Sequence, residues 1–327
     1  MKKNVLIIGG SYFAGRVFSI YTSRRDKVAL HVVNRGKYTL NLPGVCEYKC
    51  DRHDVEKLSA ILPDMKFDAI VDFCGYNPGE ISAIINALPG RIGQYIFIST
   101  SDVYVSTGVK KEGDPILEPK KADPILELSC VMRDESSVRS PVMEPNRKDP
   151  ILEYISNKVL LEREMKDTCG PRGIPYTIVR PAFIYGPYNY APRESYFIKH
   201  IVKGIPVPEP IDANAKFSMV YVADIARALE TFVADEKAYN EEFNLAGVEQ
   251  VTYASLFSEL ERCNGAPFAR KPVTVSQVKA ENIPLPFPLD SDELCSGEKM
   301  SQRFGFEYTS FSAGMDKTFA AFKAVYS

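Results

Sequence analysis

Short apolar runs alternate with longer amphipathic stretches through the first hundred positions of the chain. Residues 4–8 run into Gly9-Gly10, which predicts a buried parallel strand closing in a tight turn. An apolar face at 15–23 predicts a helix, and the β-branched run 28–33 a second strand, with Asn34 and Arg35 just past its end. A third strand is expected to end near Lys49, before Asp51, followed by a helix at 53–62. Strands at 69–73 and 95–98 flank a helix at 80–88. This rhythm predicts right-handed crossovers and an α/β fold, a doubly wound parallel sheet with helices on both faces.

The pattern breaks near residue 105. Residues 105–150 are rich in Pro and in charge, and Asp-Pro-Ile-Leu-Glu occurs there at 114–118, 123–127 and 149–153. The segment reads as a long insertion or a lid. Proline in second place suits a helical first turn with Asp as the cap. A helix is expected from 151 to 167, closed by Gly170, Pro171, Gly173 and Pro175, then a strand at 176–179. Residues 206–210 read as a Pro-rich connector, and 283–288 as an ordered irregular stretch. The expected division is 1–175 for one domain and 176–327 mainly for a smaller C-terminal α/β lobe. Residues 176–182 and 217–235 would return to the first, with the strand at 243–245 in the second.

Composition changes little: 327 residues, 45% hydrophobic and 25% charged, describe an ordinary globular chain. A net charge of −2 makes nucleic acid an unexpected partner. No apolar run is long enough to span a bilayer, so no membrane partner is expected. Seven scattered cysteines without Cys-x-x-Cys suggest reduced thiols in a cytoplasmic protein and no metal site.

The candidate chemistry sits at the strand ends. Gly9-Gly10-Ser11-Tyr12-Phe13-Ala14-Gly15 offers the close backbone approach and exposed N–H groups that a dinucleotide pyrophosphate needs, although Tyr12 replaces the middle glycine. Asn34-Arg35, in place of an acidic residue, favours NADP over NAD. Tyr154 and Lys158 share a helix face, so an ammonium can favour the phenolate of a tyrosine whose ordinary pKa is about 10. Thr100 closes the fifth strand and can hydrogen-bond a substrate hydroxyl. Asp224 reads as a helix N-cap, and Arg193 and Lys216 as candidate anion ligands in the second lobe.

The glycine turn, Ile98-Ser-Thr-Ser-Asp-Val-Tyr104, Tyr154-x-x-x-Lys158, Arg180-Pro-Ala-Phe-Ile-Tyr-Gly-Pro187 and Val220-Tyr-Val-Ala-Asp-Ile-Ala226 occur in the order of the extended short-chain dehydrogenases/reductases. The chain resembles an atypical branch of their NAD(P)-dependent epimerase/dehydratase group. The resemblance implies a Rossmann domain with a substrate lobe and a Thr100/Tyr154/Lys158 catalytic set. It puts Asp51 and Arg52 near the adenine, Phe73, Cys74 and Gly75 under the cofactor, and Pro181 beside it. It also implies a nucleotide-linked sugar as substrate, transient oxidation of a hydroxyl with Tyr154 as base, and a homodimer. Phe183 stands where many sugar-nucleotide enzymes carry Asn, and Asp102 is the one acid left beside Thr100. These two residues and Arg193 are the candidate substrate contacts. Asp102 alone argues for epimerase or reductase over dehydratase. The alternatives are a reductase or dehydrogenase of another small carbonyl or alcohol, and a cofactor-binding scaffold of RNA-associated type.

Overall fold

The computed structural model describes residues 2–119 and 150–327. Its centre is a seven-stranded, wholly parallel sheet. The strands are β1 (Lys3–Ile8), β2 (Val28–Asn34), β3 (Val45–Lys49), β4 (Ala69–Asp72), β5 (Tyr95–Ile98), β7 (Tyr176–Pro181) and β11 (Glu241–Leu245). Their order is β11-β7-β5-β4-β1-β2-β3, so the direction of winding reverses beside β1. Ligands of open α/β sheets bind at such a switch point, outside the carboxyl ends of the strands. Both faces are covered, which is why β1, β4 and β5 read as unbroken apolar runs. Helices α1 (Phe13–Thr22) and α6 (Val222–Phe232) pack together on one face. Helices α2 (Val55–Ile61), α3 (Glu80–Ala87) and α4 (Pro150–Cys169) cover the other.

The smaller lobe has its own aromatic core around Phe197, Phe217, Tyr253, Phe257 and Phe287. It contains the three-stranded sheet β12 (Gln250–Val251), β10 (Phe217–Tyr221) and β8 (Phe183–Tyr185), and the pair β9 (Val207–Pro210) with β13 (Arg270–Val273). Helices α5 (Glu194–Val202), α7 (Tyr253–Asn264), α8 (Val275–Ala280) and α10 (Phe311–Tyr326) surround them. A two-residue strand, β6 (Val109–Lys110), pairs with β14 (Leu294–Cys295), and α9 (Glu298–Phe304) packs on β11.

Several expectations need correction. The strand at 243–245 is an edge of the main sheet, paired with β7. Residues 217–221 do not return to that sheet; they pair with β8 and β12, and only the following helix α6 crosses back. The 206–210 connector is strand β9, tolerated with two prolines because it belongs to a two-stranded edge pair. Asp224 is not an N-cap: it lies inside α6, buried, and accepts the Thr309 N–H and hydroxyl, each at 2.7 Å. Residues 283–288 are irregular and seat Phe287 in the core. The 123–127 copy of the repeat, Cys130 and most of the proposed lid lie outside the described residues. The first copy does not form the expected helical turn: Ile116 bridges Tyr104 and the Leu117 N–H donates to Val103 at 2.7 Å.

Candidate active site

A cleft of about 660 Å³ opens at the carboxyl ends of the main-sheet strands. Apart from Gly10, Gly75 and Lys216, the cofactor, catalytic and substrate candidates named above line it. The Gly75 carbonyl acts from behind the wall by accepting Lys158 Nζ at 2.8 Å.

The glycine turn forms one end. Gly9 has φ +86°, and a Cβ there would stand 2.9 Å from Cys74 Sγ; a Cβ on Gly15 would stand 2.5 Å from the Gly9 carbonyl oxygen. Both positions therefore require glycine. Tyr12 does not, because its backbone is extended (φ −137°, ψ 140°). Its ring points outward and stacks on Tyr38 at 5.2 Å and on Tyr190 at 4.7 Å. Phe13 opens α1 with φ +38°, a strained value for a side chain of that size. The amide groups at this helix start and the buried Ser99 hydroxyl, which has no protein partner, fit a dinucleotide. Among the described residues no cluster of three His, Cys, Asp or Glu could hold a metal ion.

The end of β2 differs from the sequence expectation. The Asn34 amide is committed to Glu47 (Nδ2 to Oε2, 3.1 Å) and to the Gly36 N–H (2.7 Å), so it braces the loop beyond. Arg35 is exposed and Lys37 stands beside it on the cleft wall. Asp51 accepts the His53 N–H at 3.0 Å, and the His53 ring bridges Asp51 (2.7 Å) and Glu80 (2.9 Å). Those two carboxylates raise the imidazole above its ordinary pKa. Burial alone would raise Glu80. Hydrogen bonds from Asn77, the Tyr76 N–H and His53 outweigh it and bring the carboxyl down to about 2. Arg52 borders the cleft between Asp51 and His53, and its guanidinium turns inward onto Asp72 with two 2.9 Å bonds.

At the other end stand Thr100, Asp102, Tyr154, Lys158, Phe183, Tyr190 and Arg193. Thr100 Oγ1 donates to Asp102 Oδ2 at 2.9 Å and accepts the Asp102 N–H at 3.2 Å. Lys158 is 2% exposed; its ammonium donates to the carbonyls of Gly75 (2.8 Å) and Ile98 (2.9 Å), and burial draws its pKa down to about 8. Tyr154 is 37% exposed toward the cleft, and Lys158 Nζ lies 5.6 Å from its ring centre. Burial of the hydroxyl end, then the charge of Asp102, raise the phenol above its ordinary value, against the opposing pull of Arg193 and Thr100. Lys158, its ammonium held by two carbonyls, does not bring the phenol below its ordinary value in the free protein. Arg193 lies over the Phe183 ring at 5.2 Å, while Lys216 does not reach the cleft. The thiol of Cys74, pushed up to about 12 by burial and Asp72, is no nucleophile.

Lys37, Tyr38, His53, Tyr76, Asn77, Glu80 and Tyr190 line the cleft without having been singled out in the sequence. Three of them follow motif residues closely enough that a strand-end reading could have found them: Lys37 and Tyr38 after Arg35, and His53 after Arg52. Tyr190 and Glu80 carried no local signal.

Comparison with known proteins bears on the fold. Residues 129–246 match the model of the NAD dependent epimerase/dehydratase family. The chloroplast stem-loop binding protein of 41 kDa b from Arabidopsis thaliana is 26% identical over 279 residues, 81% of this chain and 64% of that protein. The chain thus spans less than two thirds of that relative's length. Among solved structures, dTDP-glucose 4,6-dehydratase from Bacillus anthracis in complex with NAD has a TM-score of 0.73 at 18% identity, over 98% of this chain and 97% of that one. UDP-glucuronic acid 4-epimerase from Bacillus cereus, also with NAD, has a TM-score of 0.72 at 16% identity, over 99% and 100%. At these identities the structures speak for the fold. The family match covers residues 129–246, and the solved structures share the Rossmann architecture of nearly the whole chain.

Proposed function

We propose that the chain is an NAD(P)-dependent epimerase acting on a nucleotide-linked sugar by reversible oxidation of a hydroxyl. One observation carries this reading: a cleft that begins at the glycine turn ends at Thr100, Asp102, Tyr154 and the buried Lys158. The nicotinamide, when bound, would accept hydride from the substrate carbon and return it. Tyr154 exchanges the substrate's hydroxyl proton at Oη. It is protonated in the free protein, so it is poised as the donor in the reducing direction. Thr100, relayed to Asp102, orients the same oxygen, and Lys158 supplies the fixed positive charge behind it. Gly9, Gly15 and the start of α1 would hold the pyrophosphate. Arg35 and Lys37 at the end of β2 favour the 2′-phosphate of NADP, and a homodimer belongs to the same proposal.

The test offers the purified protein UDP- and dTDP-linked sugars with NAD+ or NADP+ and follows products together with absorbance of the reduced cofactor. The expected result is a redox-neutral change of sugar configuration, tighter binding of NADPH than of NADH, and a dimeric mass. Tyr154→Phe is expected to keep cofactor binding and lose at least about 100-fold in turnover. Unchanged turnover in that variant sinks the mechanism.

A second reading has its own support. Phe183 is pinned edge-on between Phe217 and Phe287, at 6.2 and 5.7 Å, so an apolar wall stands beside Tyr154 where a sugar would need hydrogen bonds. That wall suits a reductase of a small carbonyl compound, which would consume NADPH stoichiometrically. Tight, salt-sensitive binding of an RNA stem-loop without any turnover would overturn both readings.

A further inference from the structure

Arg52 is the centre of a buried cluster. Its guanidinium bonds both oxygens of Asp72 at 2.9 Å and the Glu80 carbonyl at 2.9 Å. Asp72 is fully buried; it also accepts the Tyr95 hydroxyl at 2.7 Å and the Cys74 N–H at 3.0 Å. The Glu80 carboxylate accepts the Tyr76 N–H at 2.8 Å and the Asn77 amide at 2.9 Å. The turn that follows β4 is therefore held on either side of Gly75, at Cys74 by Asp72 and at Tyr76 by Glu80. One side chain, Arg52, ties the Asp72 carboxylate to the Glu80 backbone and stands 3.7 Å from the Glu80 carboxylate. Gly75 itself has no room for a side chain, since a Cβ would stand 2.8 Å from the Phe97 ring. Its carbonyl is one of the two that hold Lys158.

We propose that Arg52 is a positioning residue for Lys158: by locking Asp72 to Glu80 it fixes the turn around Gly75 so that this carbonyl meets the lysine ammonium. The inference concerns a residue that does not itself touch substrate or cofactor. It rests on the proposed function only in taking Lys158 as part of the active site. The geometry requires a fork, because Nη1 and Nη2 each take one Asp72 oxygen and Nη2 also takes the Glu80 carbonyl. A lysine at 52 would keep the charge and reach fewer of these acceptors.

The test is competitive acetylation of the full-length protein with acetic anhydride between pH 6 and 11, without cofactor. Peptide mass spectrometry gives the titration midpoint of each lysine. In the unaltered protein Lys158 titrates near 8, set by burial and by Asp72, Cys74, Arg52 and Glu162 around it. In Arg52→Lys, which conserves the charge, the midpoint is expected to fall by about one unit, because the ammonium loses a carbonyl acceptor that favours its charged form. Lys166, on the surface of the same helix, should not move. Should Arg52→Lys fail to fold, Arg52→Met/Asp72→Asn decides. It leaves no unpaired buried charge and keeps an acceptor for Cys74, and a downward shift is expected here too, from the lost carbonyl and from the loss of the Asp72 charge. A Lys158 midpoint unchanged in a folded variant overturns the proposal. Titration of the unaltered protein with NADH and NADPH, read by nucleotide fluorescence, separates this inference from the proposed function. A Lys158 shift in a protein that binds neither nucleotide upholds the positioning role and removes the enzymatic reading.

Discussion

Tyr154 and Lys158 leave α4 one turn apart and meet opposite surroundings. The tyrosine faces the cleft, whereas the lysine is sealed beneath it on two carbonyls. Burial lowers Lys158 from 10.5 to about 8, so its charged form is the disfavoured one in the fold. Between those values the unfolded chain binds more protons, and this residue's contribution to stability rises with pH. Function runs the other way, because the ammonium is lost as pH passes about 8. The expected consequence is an alkaline limb in kcat/KM with a midpoint near 8, measured as a pH profile with whichever nucleotide-linked sugar is turned over in the proposed test. Glu80 and His53 behave differently again. The depressed Glu80 contributes stability above its unfolded value of 4.5 that is lost as pH falls toward 2. The raised His53 contributes stability below 6.5 that is lost as pH climbs through its folded value.

At the scale of elements, the register of α4 matters most, because it carries both active-site groups. Glu162, one turn beyond Lys158, meets Arg180 of β7 in a buried fork with bonds of 2.9 and 2.6 Å. Arg180 also donates to the Tyr104 hydroxyl at 2.9 Å, and that hydroxyl donates to Asn244 of β11 at 2.8 Å. Arg180→Leu should cost about 3–5 kcal/mol by stranding the carboxylate, and Glu162→Leu/Arg180→Leu should recover much of it; chemical denaturation measures both. A second pin lies on α5. Glu194 is fully buried, accepts the Gly186 N–H at 3.0 Å and the Asn189 amide at 3.1 Å, and so holds the loop bearing Tyr190 and Arg193. Burial raises its carboxyl from 4.5 to about 7, so its contribution is fully present below 4.5 and declines as pH rises through 7. Glu194→Gln should remove that part of the pH dependence, seen by comparing denaturation midpoints at pH 5 and pH 8. The repeated pentapeptide shows how far context rules an element. One copy is extended against Tyr104, and residues 150–153 of another open α4.

Across the whole molecule, the stacked rings of Tyr38, Tyr12 and Tyr190 join the two halves over the mouth of the cleft. Tyr38 follows β2, Tyr12 lies in the glycine turn, and Tyr190 belongs to the second lobe. Such pairs contribute about 0.5–1.5 kcal/mol each beyond their buried area. Tyr190→Ala should therefore speed release of bound NADPH about two- to tenfold, measured by stopped-flow fluorescence, with little effect on thermal stability.

The strands, the glycine turn and the Tyr154/Lys158 face were legible because each is a local pattern: an apolar run ending in glycine, or a spacing of one helical turn. The inward bonds of Arg52 were not legible, because it follows Asp51 at a strand end and nothing nearby announces a buried partner twenty positions on. The same limit hid Tyr190 and Glu194, and it assigned residues 243–245 to the wrong sheet. The chain by itself determined which segments become strands and helices and which residue types meet the cofactor end of the fold, since backbone periodicity and turn chemistry are short-range. Only the tertiary structure decided which charges are buried, which strand edge remained for β11, and whether Tyr154 or Lys158 holds its proton. Those outcomes depend on burial and on partners far along the chain, and both exist only once the chain is folded.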